Sequence, residues 1–414
     1  MADKKIDSTD VSVADIVAAR AAGVGIVKHT PITESAALSD QFGAPIVFKA
    51  ENLQRTGSFK IRGAMNKLQQ LGTRAKNGVT AGSAGNHAQA LAFAAKHFGV
   101  RCEIFVPAGA SLSKMEACRG YGADLIEGGD SLDDAIVSAQ RRAEEANMVF
   151  CHPFDDRDVI AGQGTLGLEL LEDIADISLV LIPLGGGGLT SGAAIALKSA
   201  RPDIVVVGVQ VASCAPYAGT PPAPGPIVTL ADGIAVKKPG HITKPLIEKW
   251  VDDVVTVDED SVADAMVFLM DRSKLYVEGG GAVGVSALLT GVVKPAPTGT
   301  TCVVLSGGNV DLGLVPNLIR RHETQRGRRL IVFCRIPDRP GGLAKLLTIF
   351  AESGANLIEV EHVREGVDLH VRETGVQVVL EVRSATHSDT VMDAARDAGY
   401  EVAPVRLTGI HGGY

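Results

Sequence analysis

From residue 46 onward, short apolar runs alternate with longer stretches of helical periodicity, and no other feature limits the fold so tightly. Strand candidates fall at 46–50, 79–81, 102–106, 124–126, 149–151, 179–183, 205–209, 254–257 and 302–305. Helical patterns such as 85–98, 131–147, 161–174 and 261–275 separate them. Strands divided by helices are joined by crossovers, which builds parallel sheets covered by helices. Ahead of this lie a capped helix over 11–24, a Thr30-Pro31 turn and a second helix near 34–42. Residues 216–228 are too rich in proline and glycine to pack as an element.

The pattern changes after residue 318. A polar, basic stretch at 319–328 reads as a linker, and it also suits a solvated helix end. Beyond it come a strand at 330–336, a helix at 343–354, strands at 356–364 and 374–383, a helix at 389–398 and a strand at 401–407. That order, βαββαβ, is the split βαβ arrangement of ferredoxin-like folds. The expected division is therefore a catalytic α/β domain over 1–318, with a smaller subdomain at about 50–150 inserted in it, and a tail domain over 329–410.

Composition excludes several functions. The net charge is -8 over 414 residues, with both signs interspersed and no long basic run, which argues against a nucleic-acid partner. Met1-Ala2-Asp3-Lys4-Lys5-Ile6-Asp7 lacks an apolar signal region, and no segment approaches the roughly 18 apolar residues of a membrane span, so a cytoplasmic protein is expected. Cys102, Cys118, Cys151, Cys214, Cys302 and Cys334 are scattered without a C-x-x-C pair, which indicates neither zinc nor a disulfide framework. No metal site is expected.

Chemistry centres on Lys60. In Arg55-Thr56-Gly57-Ser58-Phe59-Lys60-Ile61-Arg62-Gly63-Ala64, Ser58 is a good N-cap, and Ile61, Met65, Leu68 and Leu71 make an apolar helical face. Lys60 then falls in the first turn, where the helix dipole disfavours an ammonium ion. Most lysines are solvated surface charges, but a neutral amine is what a Schiff base needs. Gly185-Gly186-Gly187-Gly188 follows the strand at 179–184 and opens a helix at Leu189, so unobstructed N–H groups and a helix N-terminus converge on a natural phosphate site. A merely tight turn would need one or two glycines. Ser83-Ala84-Gly85-Asn86-His87 and Ser306-Gly307-Gly308-Asn309 also follow strands, and ligands of open α/β sheets bind beyond such strand ends.

A phosphate loop, a Schiff-base lysine and polar loops together suggest pyridoxal phosphate. The lysine motif at 58–64, Ser83-Ala84-Gly85-Asn86-His87, the tetraglycine and Ser306-Gly307-Gly308-Asn309 stand in the order of the threonine/serine dehydratase family of fold-type II, tryptophan synthase β-like, pyridoxal-phosphate enzymes, which the chain resembles over about residues 10–318. Leu230-Ala231-Asp232-Gly233 and Glu278-Gly279-Gly280-Gly281-Ala282 also resemble family segments. The tail, through Asp338-Arg339-Pro340-Gly341-Gly342-Leu343 and Gly354-Ala355-Asn356-Leu357, resembles an ACT-type amino-acid-sensing domain.

The resemblance implies roles. Lys60 carries the cofactor on its amine, Phe59 packs on the pyridine ring, Asn86 bonds the ring hydroxyl and Ser306 meets the ring nitrogen. Gly185, Gly186, Gly187 and Gly188 cradle the phosphate, with Leu189, Gly233 and Glu278 completing the cofactor shell. Ser83, Ala84, Gly85, Asn86 and His87 receive the substrate carboxylate, and Ser83 joins Lys60 as a catalytic residue. A serine is too weak an acid to keep the ring nitrogen protonated, which favours expulsion of a β-hydroxyl over prolonged carbanion chemistry. The implied reaction is the conversion of L-threonine to 2-oxobutanoate and ammonia, and of L-serine to pyruvate, in isoleucine biosynthesis or threonine catabolism. Lys60 is the base at the α proton, and the cofactor phosphate is a candidate acid at the departing hydroxyl.

Two departures bear on the alternative, a serine racemase or serine dehydratase. Ala84 stands where racemases carry a serine, and Gln210 and Pro216 stand where racemase-like members supply carboxylates to a divalent cation. A second alternative is an amino-acid-sensing module with residual catalysis. Gly341, Gly342, Leu343, Asn356 and Leu357 are the expected effector contacts, and a homodimer or homotetramer is the expected assembly.

Overall fold

The computed structural model describes residues 10–109, 112–220, 225, 227–365 and 369–405, so the last residues of the expected tail domain and strand lie outside it. Two compact units emerge, 1–311 and 312–414.

The first unit opens with α1 (Val13–Ala22), β1 (Ile32–Glu34), α2 (Ala36–Phe42), β2 (Ile46–Lys49) and α3 (Lys60–Leu71). A second group follows: β3 (Val79–Gly82), α4 (Asn86–Phe98), β4 (Cys102–Val106), α5 (Leu112–Gly120), β5 (Asp124–Glu127), α6 (Leu132–Ala146) and β6 (Val149–Phe150). The chain then returns through α7 (Arg157–Asp173), β7 (Ile177–Pro183), α8 (Gly188–Ala200), β8 (Val205–Val211), α9 (Thr243–Trp250), β9 (Asp253–Val257), α10 (Glu259–Phe268), α11 (Gly279–Leu289) and β10 (Thr300–Val304).

These strands make two sheets. The larger has the order β1-β2-β10-β7-β8-β9 and the smaller β5-β4-β3-β6. All pairings are parallel except β1 with β2. β1 is a strand that the turn-plus-helix reading of 30–42 does not anticipate, because three residues at an edge carry too little pattern. The buried strands are nearly continuous in Val, Ile and Leu, as a sheet covered on both faces requires. Ile61, Met65 and Leu68 of α3 pack with Leu91 and Ile104 in one core, while Leu166, Leu170 and Leu197 pack with Val180 and Ile182 in another. Each such side chain, removed from water, contributes roughly 1.5–3 kcal/mol.

The second unit begins with α12 (Val315–Gln325), so most of the stretch expected as a linker is helical. β11 (Arg329–Pro337), α13 (Gly342–Glu352), β12 (Asn356–Val363), β13 (Glu373–Glu381), α14 (Ala385–Asp397) and β14 (Glu401–Pro404) follow. Their sheet order, β12-β13-β11-β14, is antiparallel throughout and matches the expected ferredoxin-like βαββαβ plan. Among the described residues no helix is long and apolar enough to cross a membrane.

Candidate active site

Three loops leave the C-terminal ends of β2, β10 and β7, which are neighbours in the larger sheet, and the loop after β3 of the smaller sheet faces them. Between them lies a cleft of about 490 Å3, part of it open to solvent. Phe59, Lys60, Asn86, Gly185, Gly186, Gly187, Gly188, Leu189, Gly233, Glu278 and Ser306 all line it. The structure therefore gathers residues that are far apart in the chain into one wall. Ser83, Ala84, Gly85 and His87 share a loop and helix with Asn86 but are not part of that wall.

Lys60 is the first residue of α3, yet Ser58 does not cap it. Ser58 is extended, at φ -161 and ψ 163, and pairs with Gly307, so the helix starts after it. The Phe59 N–H donates to the Ser306 carbonyl at 3.1 Å and the Gly308 N–H to the Gly57 carbonyl at 2.9 Å. The lysine loop is thereby fastened to the Ser306 loop. The Ser58 hydroxyl is buried without a partner, a position where backbone pairing overrides local capping.

Burial lowers the Lys60 amine from its ordinary value of 10.5 to about 8, while the charge of Glu278 acts in the opposite direction. The amine donates to the Pro153 carbonyl at 2.9 Å. Asn86 Nδ2 donates to Glu278 Oε1 at 2.7 Å and Asn86 Oδ1 accepts from Asn309 Nδ2 at 2.6 Å, which leaves one amide N–H of Asn86 for a ligand. His87 donates from Nε2 to the Cys151 carbonyl at 3.0 Å, and burial, followed by the charge of Lys60, pushes its pKa down to about 3. It is neutral at any physiological pH. Ser306 is almost fully buried at the cleft wall, and the Ser83 hydroxyl accepts from the Gly85 N–H at 3.3 Å.

The tetraglycine tests the fit of a phosphate group. A Cβ on Gly186 would fall 2.2 Å from the Phe154 ring, one on Gly185 2.8 Å from the Ile234 backbone, and Gly187 has φ +93, so no larger residue fits these positions without displacement. Among the described residues the N–H groups of Gly185 to Gly188 have no protein acceptor. Donors without acceptors, at the start of α8, suit an anion. The residues present fit pyridoxal phosphate: an amine of lowered basicity and, on the wall of the same cleft, a glycine loop whose N–H groups suit a phosphate.

Pro153, Phe154, Gln163, Pro183, Thr190 and Ile234 also line the cleft, unanticipated from sequence. Phe154 follows β6 in a His-Pro-Phe-Asp-Asp run with no glycine signature, and its position depends on the docking of the two sheets. Gln210 is fully buried and engaged: Nε2 donates to the Leu184 carbonyl at 3.1 Å, and Oε1 accepts from the Tyr217 and Ala218 N–H groups.

In the second unit, the two stretches expected to contact an effector lie at opposite ends of one tail sheet. Asn356 is paired with Glu381, whereas Pro337, which leads into Gly341, Gly342 and Leu343, is paired with Glu373. At about 3.3 Å per strand residue, roughly 25 Å separates them. A single tail therefore does not bring Gly341, Gly342 and Leu343 together with Asn356 and Leu357.

Residues 25–307 match the family described as pyridoxal-phosphate dependent enzyme, and residues 330–399 match the ACT domain. The chain is 41% identical over 399 residues to an L-threonine ammonia-lyase of Thermotoga maritima, covering 95% of this chain and 99% of that one. Among solved structures it is similar to the T.th. threonine deaminase, at 37% identity and TM-score 0.67 over 73% of this chain and 99% of that one. It is also similar to maize serine racemase, at 34% identity and TM-score 0.70 over 76% and 98%.

Proposed function

The chain belongs to the pyridoxal-phosphate dependent enzymes, with an ACT domain behind the catalytic part, and from that premise we propose that it is an L-threonine ammonia-lyase. It converts L-threonine to 2-oxobutanoate and ammonia, and L-serine to pyruvate. The observation that carries this reading is a lysine amine of lowered basicity in the same cleft as a tetraglycine with free N–H groups, in a chain that matches an ammonia-lyase along almost its whole length.

When bound through Lys60, pyridoxal phosphate supplies an electron sink that acidifies the α hydrogen of an amino acid. The protein's own residues then direct the reaction. Lowering the Lys60 pKa to about 8 enlarges the neutral fraction of the amine near neutral pH, and in that neutral form Lys60 can take the α proton as a general base. Asn86 would offer its remaining amide N–H to the ring hydroxyl, and the loop from Ser83 to His87 would receive the substrate carboxylate. Ser306, on the cleft wall, would meet the ring nitrogen with a hydroxyl and no strong acid, which would favour loss of the β-hydroxyl. Ala84 has no exchangeable side-chain proton, so inversion lacks a second acid from this position and elimination prevails over racemisation.

The tail acts as a regulatory domain that takes an amino-acid effector at a site completed by two copies of the chain. This rests on the ACT match and on the separation of the two loop regions in one tail. A homodimer or homotetramer follows, and six unpaired cysteines suit a cytoplasmic setting. The deciding measurement is keto-acid formation from L-threonine, L-serine and D-serine by the purified protein and by Lys60→Ala. Substantial keto-acid production by Lys60→Ala would overturn the assignment.

A further inference from the structure

We propose that Thr243 and Tyr217 are positioning residues that aim the central N–H of the tetraglycine, that of Gly187, into the cleft, with Asp155 and Gln210 holding them from behind. The proposal rests on reading Gly185 to Gly188 as the cradle of the cofactor phosphate.

Side chains hold four carbonyls along this loop, those of Pro183, Leu184, Gly186 and Gly187. Thr190 Oγ1 donates to the Pro183 carbonyl at 3.1 Å and Gln210 Nε2 to that of Leu184 at 3.1 Å. The Gly186 carbonyl accepts from Thr243 Oγ1 at 2.7 Å and from the Tyr217 hydroxyl at 3.0 Å. The Gly187 carbonyl accepts from Ser191 Oγ at 2.7 Å. In a planar trans peptide, the carbonyl of one residue and the N–H of the next point in opposite directions. Fixing the Leu184, Gly186 and Gly187 carbonyls on the protein side therefore turns the Gly185, Gly187 and Gly188 N–H groups the other way. Glycine needs this help more than any other residue, because nothing in its own side chain restricts the peptide plane.

The Gly186 carbonyl is the most heavily held. Thr243 Oγ1 and the Tyr217 hydroxyl are also 3.0 Å apart, so three oxygens share two hydroxyl protons. Both hydroxyls are secured by groups outside the cleft. Thr243 is fully buried at the start of α9, and Asp155 caps that helix from a distant loop, accepting from the N–H groups of His241 at 2.7 Å, Ile242 at 2.7 Å and Thr243 at 3.1 Å. Gln210 Oε1 accepts from the N–H groups of Tyr217 and Ala218, while its Nε2 holds the Leu184 carbonyl. One buried amide thus couples the segment that carries Tyr217 to the residue before the first glycine. Asp155 lies two residues beyond Pro153, whose carbonyl receives the Lys60 amine, so the amine and the cradle share a scaffold.

The test compares two ligands on the full-length protein stripped of cofactor. Pyridoxal 5'-phosphate and pyridoxal are titrated separately into wild type, Thr243→Val, Tyr217→Phe and the double variant, and binding is followed by the absorbance of the lysine-bound chromophore. The clamp predicts that the double variant loses roughly tenfold or more in affinity for the phosphorylated ligand while its affinity for pyridoxal stays within about twofold. Thr243→Ser, which keeps the hydroxyl, should retain most of the discrimination. An unchanged ratio of the two affinities in the double variant, whether both fall or neither does, would overturn the clamp. A wild type that binds both ligands equally would instead overturn the phosphate cradle and the clamp with it. If the double variant does not fold, the single variants carry the same comparison.

Discussion

Asn86 donates its amide N–H to the Glu278 carboxylate across 2.7 Å, so the charge that raises the proton affinity of Lys60 is held in place by a helix of the smaller sheet. Burial and Glu278 pull the lysine in opposite directions, and burial prevails. Glu278→Gln removes the opposing charge, and the Lys60 amine of the cofactor-free protein should then titrate below about 8. The pH dependence of covalent labelling at Lys60 measures this, and a higher value in the variant would contradict it.

The same lysine sets a pH dependence of stability. Its pKa is lowered on folding, so between about 8 and 10.5 the unfolded chain holds the proton more often than the folded one, and stability rises with pH across that window. Below pH 8 the cofactor-free protein carries the full cost of burying the ammonium. Lys60→Met should therefore be more stable than the cofactor-free wild type at pH 7, with the difference fading toward pH 10.5. Urea denaturation at a series of pH values checks the trend.

His87 predicts an acid limb. Its folded pKa of about 3 lies below the ordinary 6.5, so protonation of the unfolded chain drains stability as pH falls between those values. His87→Gln should lose less stability than wild type between pH 6.5 and 4. Parallel acid limbs in the two proteins would assign the loss to other groups.

Arg62, two residues after Lys60, is gripped from both sides by buried carboxylates. It donates to Glu51 at 2.7 and 2.8 Å and to Glu169 at 2.7 and 2.8 Å, and Lys49, itself fully buried, adds a bond to Glu169 at 2.8 Å. Arg62→Met leaves two buried carboxylates short of a partner and should cost about 3–5 kcal/mol. Combining it with Glu51→Gln and Glu169→Gln should recover part of the loss, as thermal denaturation will show.

Gly186→Ala places a methyl group on the Phe154 ring and should weaken cofactor binding by roughly tenfold or more. Gly186→Ala with Phe154→Leu should bind more tightly than Gly186→Ala alone. Cofactor titration distinguishes this steric account from a general loss of folding.

In the tail, Gly341→Ala and Asn356→Ala alter opposite ends of the sheet. Both should weaken any response of threonine turnover to a free amino acid, and to the same one. A response untouched by either change would assign the tail to assembly in place of sensing.

Much of this architecture is legible in the sequence for a physical reason. Parallel strands buried on both faces must be apolar throughout, and loops that approach an anion need glycine, so β7 and the tetraglycine both declare themselves locally. Ser58 shows where that reasoning ends, because its extended pairing with Gly307 is a contact between segments far apart in sequence that no local capping preference can reveal. Phe154, Thr243, Tyr217 and Asp155 belong to the same class. Their contacts join segments far apart in the chain, and nothing in their own sequence surroundings marks them as neighbours of the tetraglycine.

The position of β10 has a consequence for how the protein comes into being. It is the last strand of the larger sheet to be synthesised, yet it lies between β2, which precedes the lysine, and β7, which precedes the tetraglycine. On the ribosome, Lys60 and the tetraglycine exist long before the strand that lies between their own two strands has emerged. β2 and β7 lack their native neighbour until residues 300–304 are made, and that pairing is a long-range contact of the kind that forms slowly. Assembly of the cleft is thus tied to the completion of nearly the whole first unit, so a prematurely truncated chain carries Lys60 without all the residues that line the cleft with it.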